Sequence, residues 1–522
     1  MCKLFVCFAL VVATMPAGMA VEGAVTYSRD AAPVFFEHCA MCHRPGAVAP
    51  MSLLTYEEAR PWAKSIAKAV REKNMPPWSG ESEHHQWQND ISLSDEETAT
   101  LLAWVEKGAQ QGDPKDLPAA PVFPEGWRLG EPDYVLSLKK IDVPAAGDDM
   151  FTKETINVDF GGANWVKAIE VMPGDRRVTH HFQMTYSGGS GGAEKSTAGV
   201  SLGGILAVWT AGMPPIVFPE GVGRPIGPKA RILIDAHYHP FGEAVSDETK
   251  VGLYFGKGEM KKEVSTLAIA NTGIRIPPGA PNHSEVCFNL LDRDMEILAF
   301  SPHMHLRGKS MRYDLIRPDG SRETLLDVPK YNYNWQWQYY PTKPIPAPAG
   351  SRIEVTAAWD NSAGNVSNPD PAQEIIYRGD TLHEMLVGFV EVIPAEGVYH
   401  QPAPATEKIK TLLARHPAED TYMVNGFLPF GMYVPKTGEG CMYAVQGLNM
   451  FVVTLDNIQW DGDRLKVVTE LPTPEASATT SIFEGVRGAD GKLTGTFQYG
   501  VDSPRSMKIN VVAVPMAAAT GD

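Results

Sequence analysis

Ser301-Pro302-His303-Met304-His305-Leu306-Arg307-Gly308-Lys309 is the stretch whose reading decides the rest. Side chains two apart on a strand share a face, so an extended backbone here aims His303 and His305 at one point. Three other places supply groups that can join them: the adjacent pair His180-His181, the His-x-His at His237 and His239, and the run His383-Glu384-Met385. Four His/Met clusters in one chain point to a metal enzyme, and imidazole with thioether is a donor set suited to copper.

The 522-residue chain opens with Lys3, an apolar run from Leu4 to Ala13, Pro16 and small residues to Ala20, the pattern of a secretory signal peptide. Residues 1–20 are therefore expected to be removed, which places the mature protein in a bacterial periplasm or outside the cell. Cys2 and Cys7 leave with that segment, and four cysteines remain. No later run approaches the roughly 18 uninterrupted apolar residues of a spanning helix, so no membrane span is expected. A formal charge of −16 argues against nucleic acid as a partner and against strong binding to anionic lipid.

Near the start, Cys39-Ala40-Met41-Cys42-His43 carries the C-x-x-C-H signature of covalent haem attachment. Two thiols three positions apart can take the two vinyl groups of one porphyrin, and His43 follows as the proximal iron ligand. Met75, in Asn74-Met75-Pro76-Pro77-Trp78, is the expected second axial ligand, because the prolines fix an extended loop that presses sulfur toward iron. Met51 competes for that role, and His84 and His85 read as a solvated loop. Trp62, Ile66, Ala69 and Val70 recur at helical spacing. Ser94 with Glu97 forms a capping box ahead of Leu101, Leu102, Trp104 and Val105, and Gly108 ends that helix. Residues 25–113 thus resemble a small class I cytochrome c.

Prolines at 114, 118, 121 and 124 mark residues 114–127 as a linker. Beyond it come short runs rich in Val, Ile, Thr and aromatics, such as Tyr134 to Leu138, Ile156 to Phe160, Trp165 to Val171, Ile232 to His237 and Ile297 to Phe300. That is the texture of β-sandwiches or barrels. Tyr331, Tyr333, Trp335, Trp337 and Tyr339 alternate with Asn332, Asn334, Gln336 and Gln338, which predicts an inner-sheet strand with its aromatics on one face. Gly188 to Gly192 reads as a flexible loop, and Asp360 to Asp370 as turn chemistry rather than a calcium loop. From about Glu396 the pattern loosens into one short helix and further strands, with no catalytic motif.

Adjacent His180 and His181 would face opposite ways on a regular strand, so both can reach one metal only if the strand bulges or the rings use different nitrogens. The order His180-His181, then His237-Tyr238, then His303-x-His305, then Met385 resembles the copper type II, ascorbate-dependent monooxygenases, the family of peptidylglycine α-hydroxylating monooxygenase and dopamine β-monooxygenase. The resemblance covers about residues 125–395 and implies two copper ions. One, CuH, would take His180, His181 and His237. The other, CuM, would take His303, His305 and Met385 and carry oxygen and substrate, with CuH as the electron store.

The implied architecture is a small all-α cytochrome c domain (25–113), a first copper β-sandwich (128–289), and a second (290–522) that includes a β-rich extension from about 396. The expected activity is hydroxylation of a C–H bond of a small organic substrate with O2. One haem c would deliver the electrons, drawn from an ascorbate-like reductant or a periplasmic redox protein. The alternative is a haem/copper electron-transfer or copper-handling protein without oxygenase activity. The family's carboxylate anchor falls here on Ser301, Val387 and Phe389, which implies a neutral or apolar substrate, and its Gln before the third CuH histidine is Asp235. His239 and His383 read as neighbours of the sites rather than ligands. Cys287 and Cys441 are expected to be disulfide-bonded in an oxidising compartment, although their strand-like surroundings also suit two buried free thiols.

Overall fold

The computed structural model describes residues 25–516 apart from 125, 163, 188–204, 398–404, 425–429, 447–448, 456, 473–477 and 502–506. The expected signal peptide and the Gly188 to Gly192 loop lie outside the described residues. Strand accounts for 43% of the chain and helix for 13%, so the protein is β-rich, and its apolar residues gather into several separate cores.

Helices come first. Thr55 and Ser94 each close a capping box, with Glu58 and Glu97, at the starts of Tyr56–Ala59 and Asp95–Glu106. The helix Ala63–Arg71 buries Ala63, Ile66, Ala67 and Val70 on one stripe. Trp62, expected in that stripe, is instead 42% exposed, because it stands at the bend before the helix rather than on its inner face. Gly108, at φ +91, ends Asp95–Glu106. These segments share a core of their own around Tyr27, Phe35, Leu101 and Trp104.

Two sheets then carry the first half of the β-region. Met150–Asp159, Lys229–Tyr238, Thr179–Ser187 and Ile205–Thr210 lie side by side, and Asn164–Met172 pairs with Lys250–Phe255 in the other. The chain changes sheets earlier than residue 290, where the boundary was expected. Ser265–Asn271 already pairs with Val387–Pro394, and His283–Leu290 with Arg352–Trp359. Strand-forming residues run through this whole stretch, so nothing local marks the crossing. The segment after Glu396 extends the same sheet, since Asn449–Leu455 runs parallel to Ser265–Asn271.

The aromatic run 331–339 is not a strand. Asn332 Oδ1 accepts from Asn334 N at 2.9 Å and Trp335 N donates to Asn332 O at 2.9 Å, so an Asx turn folds the run at its start. Gln336 and Gln338 are as buried as the aromatics, at 8% and 2% exposure, which ends the expected one-face alternation. The run is a strap between regions. Trp78 packs on Trp337 and Tyr339, Trp87 packs on Tyr339, and Gln88 N donates to Tyr340 O at 2.7 Å. It therefore ties the helical segment to the sheets.

Candidate functional site

The strands Thr179–Ser187 and Lys229–Tyr238 pair antiparallel with His181 opposite His237, and the register slips between Thr179 and His181. That bulge turns His180 to the same side as its neighbour. His180 Nδ1 lies 3.0 Å from His181 Nδ1, which is 3.3 Å from His237 Nδ1. Nitrogens each 2.0–2.1 Å from one tetrahedral ion stand about 3.3 Å apart, so the spacing is that of ligands on a shared metal. Asp149 Oδ2 sits 2.8 Å from His237 Nε2 and leaves Nδ1 of that ring free to face the cluster. His180 Nε2 is buried with no hydrogen-bond partner among the described residues. Burial, with lesser repulsion from the neighbouring rings, pushes His180 down to about 4 and His181 well below the ordinary imidazole value. The rings are therefore neutral at pH 7, the form a metal binds.

The second group sits where the strand Met295–His303 ends. His303 is the register partner of Val387, and the rings of His303 and His305 are 5.2 Å apart, nearly perpendicular. His303 Nδ1 donates to Gln336 Oε1 at 2.7 Å and His305 Nδ1 to the His383 carbonyl at 3.0 Å, which leaves Nε2 of each ring available. Burial first, then the charge of His303, pushes His305 down to about 3. Glu384 holds the loop in place. Its carboxylate accepts from His305 N at 2.8 Å, Arg307 N at 2.6 Å and Trp359 Nε1 at 3.1 Å. Burial still raises that carboxyl to about 7. Met385 is the next residue, 7% exposed, two positions before Val387. Phe389 lies 6.3 Å from His303, so this side of the group is apolar.

Tyr333 stands between the two groups. Its ring centroid is 6.2 to 6.4 Å from His180, His181, His237 and His305. The strap thus touches both, through Tyr333 and through Gln336.

A cavity of about 1240 Å³ adjoins the first group. Cys39, Cys42, His43, Met51 and Met75 line one part of it, and His180, Gly212 and Trp337 another. His43 Nδ1 faces the Met51 carbonyl at 3.3 Å, which leaves Nε2 as the free nitrogen and puts the Met51 backbone on the His43 side. Two thiols, a free imidazole nitrogen and the Met75 thioether around an apolar volume are a donor set that fits haem c. His84 and His85 do not line this cavity, and His85 meets Glu323 at 3.0 Å.

His239 binds Asp149 through Nδ1 at 2.7 Å, and His383 binds Asp380 at 2.8 Å, so neither side chain joins a cluster. The expected Cys287–Cys441 bond is absent, and both thiols are free. Cys287 turns into the large core, whereas Cys441 packs with Phe288 and Leu290, which project from the opposite face of that strand. In the Asp360 to Asp370 loop, Asn361 Oδ1 accepts from Arg307 Nε and Asn368 Nδ2, which is turn and strut chemistry. Sequence reasoning passed over Asp149, Gln336 and the position of Tyr333, because each reaches its histidine across a long loop with no fixed spacing. No known protein family and no curated protein matches the chain.

Proposed function

We propose that this is an exported copper-dependent monooxygenase that hydroxylates a C–H bond of a small, neutral or apolar organic substrate with O2. The reading takes residues 25–113 as a class I cytochrome c domain and the following sheets as two copper β-sandwiches of the copper type II, ascorbate-dependent kind. One observation carries it: the cavity that gathers Cys39, Cys42, His43 and Met75 also has His180 of the three-histidine cluster in its wall.

Each residue then has a task. His180, His181 and His237 hold one copper through converging nitrogens, with Asp149 fixing the tautomer of His237. His303, His305 and Met385 hold the other, where the thioether favours Cu(I). Gln336 Oε1 and the His383 carbonyl accept hydrogen bonds from Nδ1 of His303 and His305, which leaves Nε2 of each ring available to a metal. Copper so held would supply single electrons for the oxidation, and haem c held by Cys39, Cys42, His43 and Met75 would supply electron transfer. Phe389 and Val387 keep the substrate side apolar and exclude water there.

Tyr333 favours a second reading, haem/copper electron transfer or copper handling without oxygenation, because its ring lies between the clusters where an oxygenase needs room for substrate. Isotopic dioxygen separates the two. The copper-loaded protein, given a mixture of small organic molecules and a reductant, should incorporate labelled oxygen into a product found by mass spectrometry. Copper bound at two per chain with no labelled product would leave the second reading standing, and no copper after reconstitution would end both.

A further inference from the structure

We infer that Gly212 and Ala211 form the contact through which electrons pass from the haem edge to the first histidine cluster; the inference rests on the haem and copper reading above. The strand Ile205–Thr210 pairs with Thr179–Ser187 so that Thr210 stands opposite His181. Just past its end the chain turns back, with Met213 N donating to Thr210 O at 3.1 Å. In that turn Ala211 N donates to the His180 carbonyl at 3.0 Å, and Thr210 Oγ1 donates to the same oxygen at 3.2 Å. The next residue, Gly212, has φ +88, and a β-carbon there would sit 2.9 Å from Cys42 Sγ and 3.7 Å from the Trp337 ring. Both the backbone angle and the lack of room require glycine.

Cys42 is the second thiol of the haem-attachment motif, so its sulfur would be a thioether on the porphyrin rim. The packed sequence is then short: the Cys42 sulfur, the Gly212 backbone against it, the Ala211 peptide, a hydrogen bond to the His180 carbonyl, and the His180 ring. One electron leaves ferrous haem, which becomes ferric, and reduces Cu(II) at the cluster to Cu(I). No proton moves and no bond is made or broken, so a rigid, close-packed contact is all the step needs. Gly212 supplies the side toward Cys42 and Ala211 the side toward His180, and Trp337, on the strap, stands against Gly212 as well.

Pulse radiolysis of the full chain, loaded with haem and copper and free of oxygen, tests this. The radiolysis reduces the haem within microseconds, and its absorbance then reports reoxidation by Cu(II). In the parent protein a copper-dependent reoxidation phase is expected. Gly212→Ala should slow it by at least an order of magnitude, with haem absorbance and the Cu(II) resonance signal showing both centres still filled. Ala211→Pro, which removes the N–H to His180 without touching Cys42, should slow it as well, and it decides the matter should Gly212→Ala fail to fold. Gly258→Ala is the control, because Gly258 has a similar φ of +80 with nothing within 4 Å, and it should leave the rate unchanged. An unaltered rate in either contact variant overturns the route. A parent protein that fills both centres yet shows no copper-dependent phase overturns the electron-delivery role itself, a distinct failure.

Discussion

The two histidine groups solve one problem in opposite ways. The first is built by a sheet: three rings come from two paired strands, a bulge turns His180, and the one carboxylate that orients a ring, Asp149, is partly exposed and also serves His239. The second is built by a single strand end, where alternation sends His303 and His305 the same way and a fully buried carboxylate, Glu384, holds the loop by its backbone. Register can bring side chains together without buried charge, whereas a loop leaving a sheet must find acceptors for its amides or pay for their desolvation. The first group should therefore be sensitive in its metal affinity and the second in its stability.

Glu384→Ala gives the largest expected effect. It strips acceptors from His305 N, Arg307 N and Trp359 Nε1, all buried, and should cost about 3–5 kcal/mol of stability. Urea unfolding of the metal-free protein measures this, and a loss below about 1 kcal/mol would contradict a scaffold role for the carboxylate. Asp149→Ala comes next and sharpens the contrast. It should weaken metal binding at the first group by about 10–100-fold with little change in stability and none at the second group. Titration with copper and calorimetric melting read the two quantities separately; equal weakening at both groups would erase the distinction.

The smallest effect concerns pH. Free imidazoles take a proton near 6.5, while burial holds the folded values lower, at about 4 for His180 and about 3 for His305. Between those values the unfolded chain binds protons that the folded chain refuses, so the histidines' contribution to stability falls as pH is lowered from about 6.5 toward 4, against the opposite contribution of Glu384, whose folded value is raised to about 7. Metal-free protein should show this slope by chemical denaturation at several pH values, and His181→Phe should flatten it. A slope unchanged by the substitution would mean that burial of the first group does not govern its protonation.

The sequence alone determined the local elements whose cause is local. Ser94 and Glu97 stand three apart and must cap a helix; His303 and His305 stand two apart and share a face; the cysteine spacing of residues 39–43 prescribes two thiols and an imidazole together. The aromatic run shows where that reasoning stops. Its alternation satisfied a strand pattern, yet Asn332 captured the amide of Asn334, and Tyr333 went to the histidine groups instead of a sheet. The Cys287–Cys441 pairing failed likewise, because Cys287 points into the large core while Cys441, on the strand Gly440–Gln446, packs against the opposite face of the strand His283–Leu290, and which strands meet across that face depends on how the sheets pack. Only the tertiary structure decided that Asp149, Gln336 and Gly212 belong to the site. Their partners lie 88, 33 and 170 residues away in the chain for Asp149–His237, His303–Gln336 and Cys42–Gly212, and no periodicity spans such loops. Short-range geometry is written in spacing, whereas contacts between distant segments are set by how the sheets pack.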